Sequence, residues 1–165
     1  MLKYFFIASI IILSHGIPVQ DSSEYEEFMN GFMTGISNNN GSPICQIDFS
    51  KQNPQTLINQ LDTILDDLDK LMQGQITAIF ALKKDINIMV KLLMPTSTNC
   101  DFPEFLDKVE HDFTISGSID VMENIQTNLP TILADIKQTS DCPTSYFNCG
   151  KSMGEVIRLV VGTGL

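Results

Sequence analysis

The amino-acid sequence predicts an all-α, disulfide-tied bundle of five or six helices in a single domain. Three observations support this fold class. Apolar residues recur every three or four positions in several separate stretches, which is the spacing of one buried helical face. Alternating patterns of the kind that strands show are not found along the sequence. Four cysteines follow an apolar amino-terminal segment that has the pattern of a secretion signal.

The amino-terminal segment, residues 1–16, has the three parts of a secretory signal peptide. Lys3 provides the basic start, an apolar run follows it, and the small residues Ser14 and Gly16 suit cleavage after Gly16. The run is shorter than the roughly 20 residues that a transmembrane helix needs. We therefore expect a cleaved signal and not a membrane anchor.

The remaining chain, residues 17–165, is expected to be one helical domain with a flexible leader over residues 17–22. Once Lys3 is removed from the 10 basic residues, nine oppose 20 acidic ones, a net charge of about −11. Such a charge repels nucleic acid and anionic membrane surfaces and permits loose condensation of Ca²⁺. We expect the protein to be secreted or to lie in the lumen of the secretory pathway, with no membrane span after signal cleavage.

The first helix of the domain is predicted by a capping box and one apolar stripe. Ser23 and Glu26 have the spacing at which an N-cap hydroxyl and a carboxylate exchange hydrogen bonds with the backbone. The stripe behind them predicts a buried face. Its members are Tyr25, Phe28, Met29, Phe32, Met33 and Ile36.

The longest periodic stretch runs from Asn53 to Met94 and is bounded by Pro54 and Pro95. A single helix of that length would measure about 60 Å, which exceeds the diameter of a globule of this size. We therefore expect two antiparallel helices that turn at Gly74, the weakest helix former inside the stretch. The apolar residues of this hairpin are Leu57, Ile58, Leu61, Ile64, Leu65, Leu68, Leu71, Met72, Ile76, Ile79, Phe80, Leu82, Ile86, Met89, Val90 and Leu93.

Three helical segments are predicted after the hairpin. A short helix extends from about Pro103 to Phe113, and a longer one opens at Ser118, where Pro130 should kink or split it. The closing helix stops at Gly162. The apolar residues of the last two segments are Ile119, Met122, Ile125, Leu129, Ile132, Leu133, Ile136, Tyr146, Cys149, Met153, Val156, Ile157 and Val160.

Two glycine pairs have the spacing of one helical turn. Gly31 and Gly35 lie in the first helix, and Gly150 and Gly154 lie in the closing helix. Such pairs weaken a helix by propensity but permit a neighbouring backbone to approach closely. We interpret both pairs as close-packing positions within the domain.

The four cysteines are Cys45, Cys100, Cys142 and Cys149. An even number in a secreted chain predicts two disulfides, with three possible connectivities. Within one helix the last two would be about 10 Å apart, beyond the roughly 7 Å reach of a disulfide. Pro143 suits a first helical position, which would place Cys142 outside the helix and weaken that exclusion. We favour Cys45 and Cys100 each bonding to one of the last two cysteines.

Few residues suggest chemistry. His111, the one histidine after the signal, stands in a polar helix end that is typical of solvated surface, so we do not assign it a catalytic role. Asp62, Asp66 and Asp69 lie on one helix face and, with Asp67, form the densest carboxylate cluster. They are a weak Ca²⁺ candidate at most, since the loop ligands of an EF-hand are missing, and a solvated helix face is the favoured interpretation.

Three segments resemble a known group of proteins. They are residues 28–35 (FMNGFMTG), residues 92–95 (LLMP, ahead of a cysteine) and residues 149–157 (CGKSMGEVI). With the signal peptide, they resemble short secreted all-helical proteins of ciliated protozoa. The resemblance implies a helical fold and export, and it supplies no activity, cofactor or site residues.

We therefore expect a non-enzymatic acidic protein, without a cofactor, that acts by binding or as secretory-granule or extracellular material. One alternative is a carrier of a small hydrophobic ligand such as a lipid, because 8 Met and 10 Phe can surround an irregular ligand. A second alternative is a secreted enzyme inhibitor that uses the loop at residues 38–52. That loop begins near Asn40, the acceptor of the one N-glycosylation motif in the sequence. The partner would be an unknown protein or a small hydrophobic ligand, and not a nucleic acid.

Overall fold

The computed structural model describes residues 21–37, 46–98, 100, 102–114, 117–139 and 142–164. Over these residues the chain forms six α-helices and a two-residue antiparallel ladder, so the prediction of an all-α bundle is confirmed. The helices are α1 (Ser22–Ile36), α2 (Pro54–Met72), α3 (Ala78–Leu93), α4 (Phe102–Asp112), α5 (Ser118–Thr139) and α6 (Tyr146–Val161). The ladder joins β1 (Gln46–Ile47) to β2 (Ser97–Thr98), and strands this short leave no readable alternation in sequence.

The predicted signal peptide over residues 1–16, the predicted glycosylation acceptor Asn40 and the cysteine Cys45 lie outside the described residues. Of the leader predicted over residues 17–22, only the last two positions are described. Ser22 is the first residue of α1, so the leader prediction is wrong at that end.

Helix α1 begins two residues earlier than the sequence predicts, because Asp21 and not Ser23 is its N-cap. The Asp21 carboxylate accepts hydrogen bonds from the backbone amides of Ser23 and Glu24, both at 2.9 Å. The Glu24 carboxylate in turn accepts one from the Asp21 amide at 3.3 Å. Aspartate caps a helix as well as serine does, so the D-x-x-E box competes with the S-x-x-E box and adds half a turn.

Helices α1 and α6 lie against each other and run in the same direction. A Cβ atom placed on Gly31 would overlap the carbonyl oxygen of Phe147 and lie 3.0 Å from the amide nitrogen of Lys151. One turn later, a Cβ on Gly35 would overlap the carbonyl oxygen of Lys151. A step of four residues along α1 thus matches a step of four along α6, which defines a parallel pair.

The contact is reciprocal, since the α6 glycines face the α1 backbone. A Cβ on Gly150 would overlap the carbonyl oxygen of Phe28, and one on Gly154 would overlap that of Phe32. Backbones at this distance permit Cα–H···O contacts and leave no space for a methyl group. The prediction that both glycine pairs are close-packing positions is confirmed.

Helix α1 is surrounded on all sides over its second half. Every residue from 31 to 37 is buried, although the sequence shows only one apolar stripe there. The polar member Thr34 is compatible with this because its hydroxyl donates to the carbonyl oxygen of Asn30 at 2.7 Å. The core therefore centres on α1 and its contact with α6, and not on the longer α2–α3 hairpin.

The α2–α3 hairpin turns where the sequence predicts. Gly74 has φ of 88°, a left-handed conformation that glycine adopts without a steric cost. Two apolar residues beyond the turn are exposed, Ile76 by 63% and Phe80 by 50%, so their assignment to the core stripe was wrong. The turn resets the helical phase. The buried face of α3 begins at Ala78 and Ile79 and continues at Leu82, so it does not include Phe80.

Helix α5 continues through Pro130, so the predicted split is wrong. Proline has no amide hydrogen to donate to the carbonyl of Gln126, one turn earlier. Both residues are exposed, and water can serve that carbonyl from the solvent side. Ile119 (64% exposed) and Leu129 (38%) also lie outside the core, which corrects their assignment to it.

Cys142 and Cys149 form a disulfide with their Cα atoms 5.0 Å apart. The favoured pairing of Cys45 and Cys100 with these two cysteines is therefore wrong. Cys142 lies in a 3₁₀ turn ahead of α6, and Ser145 between them caps that helix, so the two cysteines do not share one helix. Cys100 is also disulfide-bonded.

Candidate functional site

The three carboxylates proposed as a weak Ca²⁺ site do not form one. Asp66 lies 2.6 Å from the ammonium of Lys70, and Asp69 accepts a hydrogen bond from Gln73 at 2.6 Å. Across the described ranges, no three His, Cys, Asp or Glu side chains are arranged to hold a metal ion. The cluster that includes Asp62 is better described as a helix face with local pairings.

Asp67, which the sequence places in that cluster, points into the protein. Its side chain is only 4% exposed, and one oxygen, Oδ1, lies 3.0 Å from the Lys70 ammonium. The other oxygen, Oδ2, is buried without a hydrogen-bond donor among the described residues. Burial raises the pKa of Asp67; the hydrogen bond from Lys70 opposes the rise, and the facing carboxyl of Asp85 on α3 adds to it.

A second buried carboxyl, Asp135, lies between α5 and α6. Asp135 is 9% exposed, and within the described structure its Oδ2 has no donor. Burial, followed by the charge of Glu155, raises the pKa of Asp135 to about 6 against the opposing effects of Ser152, Arg158 and Lys151. This carboxyl therefore titrates in a mildly acidic range.

The surroundings of Asp135 favour its protonated form. The hydroxyl of buried Ser152 donates its single proton to Gln138 Oε1 at 2.6 Å. The guanidinium of Arg158 contacts Glu155 at 3.0 Å and donates to the carbonyl oxygen of Gly35 on α1 at 3.2 Å. The Ser152 hydroxyl and two nitrogens of Arg158 are thus engaged with other acceptors, and a proton on Asp135 itself would satisfy the site.

Sequence reasoning missed both buried aspartates, although a signal was present. Asp67 follows Ile64 by three positions and precedes Leu71 by four, which places it on the buried stripe of α2. Asp135 follows Ile132 by three positions on α5. An acidic residue at an apolar phase of a helix therefore predicts a buried carboxyl.

His111 lies exposed at the end of α4, as the sequence predicts. Its backbone carbonyl accepts a hydrogen bond from the Thr114 hydroxyl at 2.9 Å. The residue before it, Glu110, forms an ion pair at 2.6 Å with Lys83 on α3. The first contact closes the end of α4 and the second joins α4 to α3, and neither gives an argument for catalysis.

Two adjacent clefts lie where the ladder meets the start of α2. Their volumes are about 300 and 310 Å³, both are open to solvent, and they share Lys51, Pro95 and Thr96 in their walls. The segment that forms one wall is anchored, since Gln52 donates to the Thr96 hydroxyl at 2.7 Å and accepts from the Tyr25 hydroxyl at 2.7 Å. Neither cleft is an enclosed chamber in the core, so they do not support the hypothesis of a lipid carrier.

The described part of the 38–52 loop is held against the rest of the protein. The Asp48 amide donates to the Thr96 carbonyl at 2.7 Å, and the ring of Phe49 packs edge-on against Tyr25 at 6.0 Å. An inhibitory loop is typically presented on a rigid support, and these contacts supply one for residues 46–52. The inhibitor alternative stays a prediction.

No family model, no curated protein and no solved structure matches this chain. The resemblance to secreted helical proteins of ciliated protozoa therefore stays a prediction. Over the described residues, none of the helices combines the length and the apolar character that crossing a bilayer requires.

Proposed function

We propose that this protein is an exported, non-enzymatic acidic protein that acts through its surface, by binding or as material of a secretory granule or extracellular matrix. The observation that supports this most is the formal net charge of −10 on a chain whose apolar residues largely form one core. The Cys142–Cys149 disulfide is compatible with an oxidising compartment.

The packing of the core also favours a surface function. At the contact of α1 with α6, not even a methyl group fits beside Gly31 or Gly150. A protein of this kind offers a partner its outer charges, such as the carboxylates at the exposed positions Glu26, Asp107 and Glu123. Copies repel one another through these charges, and divalent cations reduce that repulsion.

The proposal predicts that Ca²⁺ in the millimolar range promotes association of the processed protein. Light scattering during a Ca²⁺ titration should rise, because weak carboxylate contacts distributed over the surface neutralise the charge of each copy. A parallel titration with KCl at matched ionic strength separates cation bridging from simple screening.

A charge-reduced variant tests whether the exposed carboxylates are responsible. Glu26→Gln, Asp107→Asn and Glu123→Gln together remove three negative charges from exposed positions. The variant should need more Ca²⁺ to associate than wild type, whereas the charge-neutral control Gln126→Asn should behave as wild type. Scattering that does not change throughout the wild-type titration would remove the granule version of the proposal.

A further inference from the structure

Two helix contacts of this protein each contain a buried carboxyl that faces a second acidic residue. Asp67 of α2 faces Asp85 of α3, and Asp135 of α5 faces Glu155 of α6. In both buried aspartates, the Oδ2 atom has no hydrogen-bond donor among the described residues. A buried carboxylate normally has its lone pairs satisfied, so the recurrence of this arrangement calls for a physical explanation.

At the first contact, the available positive charge is shared. The Lys70 ammonium lies 2.6 Å from Asp66 and 3.0 Å from Asp67, both on its own helix. Asp85 approaches Asp67 from α3 and brings a further negative charge to the same carboxyl. A hydrogen bond between Asp67 and Asp85 requires a proton on one of the two.

At the second contact, the charged groups that face Asp135 all come from α6. They are Glu155, Arg158 and Lys151, together with the hydroxyl of Ser152. Arg158 is bound to Glu155 and to the α1 backbone, as described above. Through Arg158, the α5–α6 contact is therefore connected to the end of the central helix α1.

We propose that Asp67 and Asp135 make this fold acid-stabilised: each stays protonated in the folded protein at mildly acidic pH, and its ionisation near neutral pH loosens the α2–α3 and α5–α6 contacts. The ligand at both contacts is a proton. A divalent cation is a poorer fit because the Lys70 ammonium already lies on Asp67 and no third carboxylate, histidine or cysteine completes a metal site within the described ranges.

The sign of the effect follows from proton linkage. The folded protein holds a proton on Asp135 that the unfolded chain releases at the ordinary pKa of 3.8, since the folded pKa is about 6. Stability from this group is fully present below the unfolded pKa and is lost as the pH rises through the folded pKa. For Asp135 alone, the unfolding constant should rise about tenfold between about pH 5 and pH 7.5.

Urea denaturation of the full disulfide-bonded protein at these two pH values tests the proposal. Wild type should have the lower midpoint at the higher pH. Asp67→Asn and Asp135→Asn replace a carboxyl with a neutral group of the same shape, so each should reduce the pH dependence. Asp120→Asn, an exposed position on α5, is the matched control and should keep the wild-type dependence.

A measurement on wild type keeps the proposal testable if a variant does not fold. Carboxyl ¹³C chemical shifts of labelled protein should show Asp135 titrating near pH 6 and Asp67 above its ordinary range. Titration of both at or below about pH 4 would overturn the proposal. An unfolding midpoint of wild type at pH 7.5 that equals or exceeds its midpoint at pH 5 would also overturn the proposal. A third contrary result would be that Ca²⁺ restores the wild-type midpoint at pH 7.5 but not that of Asp67→Asn, because this would identify a cation site.

Discussion

Replacing Gly150 with alanine tests the α1–α6 contact directly. The new Cβ would overlap the carbonyl oxygen of Phe28 and lie 2.8 Å from its carbonyl carbon and 2.9 Å from the Phe32 amide nitrogen. Ordinary contacts begin at 3.4 Å. Because the obstacle is backbone and not a flexible side chain, no rotamer change relieves it, and the helices must separate by roughly 1 Å or more.

The expected magnitude is the difference between two effects. Overpacking of a well-packed core costs about 3 kcal/mol at the upper end of its usual range, and a rigid backbone obstacle justifies that value. Alanine gains about 1 kcal/mol over glycine in a helix interior. The Gly150→Ala variant should therefore lose about 2 kcal/mol of unfolding free energy, and separation of the helices also weakens the contacts of the fully buried Phe28 and Phe32.

The assay is urea denaturation followed by circular dichroism, with the disulfides intact. The midpoint should fall while the dependence of the free energy on urea stays unchanged, because the core is still buried. Ala134→Gly, at an exposed position of α5, isolates the difference in helix propensity between alanine and glycine. It should lower the free energy of unfolding by about 1 kcal/mol. A Gly150→Ala protein as stable as wild type would refute the close-packing argument, since alanine would then fit.

The remaining predictions concern the same contact and the disulfide. The double variant Gly31→Ala/Gly150→Ala should lose less stability than the sum of the losses in the single variants, because helices separated by the first methyl group accommodate the second. Strict additivity of the losses in a double-mutant cycle would contradict this. Replacing Cys142 and Cys149 with serine should cost about 2 kcal/mol, as expected for a cross-link that closes a short loop, and a midpoint equal to that of wild type would argue against it. Proteolytic digestion of the unreduced wild-type protein should yield fragments in which Cys142 is bonded to Cys149.

Most helices of this protein could be predicted from local patterns. The turn at Gly74, the start of the hairpin at Asn53 and Pro54, and the end of α6 at Gly162 all agree with the structure. Each depends on the conformational preference of one or two residues, such as the left-handed φ of 78° at Gly162. Such preferences operate before any tertiary contact forms.

The phase of a stripe after a turn could not be predicted in the same way. Ile76 and Phe80 continue the apolar spacing of the hairpin, but Ile76 lies in the turn itself and the phase of α3 turns Phe80 toward solvent. The disulfide pairing depended on a similar local detail, namely whether Cys142 lies inside α6 or just ahead of it. A shift of one residue at the boundary of a helix changes both the predicted buried face and the predicted disulfide pairing. Such boundaries are the least certain part of a sequence pattern.

The candidate site was only partly accessible from sequence. The carboxylate cluster on α2 was visible, but its members differ in the structure: Asp66 is solvated beside Lys70, whereas Asp67 is buried. Composition cannot separate them, but the helical phase does, since Asp67 lies on the buried stripe of α2 and Asp66 does not. The acids that face the buried carboxyls could not be predicted, because Asp85 and Glu155 are placed there by the packing of α3 on α2 and of α6 on α5.

The sequence by itself determined the fold class, the helical segments and the acidic surface, because helical periodicity, capping residues and charge act locally or through composition. The tertiary structure decided that α1 and α6 form the central parallel pair, that the cysteines at 142 and 149 are joined, and that two aspartates lie buried opposite other acids. These features depend on how segments pack against each other, whether the segments are far apart in the chain, as α1 and α6 are, or close, as the two cysteines are. The glycine spacing permits such a contact, but only the packing of the whole bundle selects the partner.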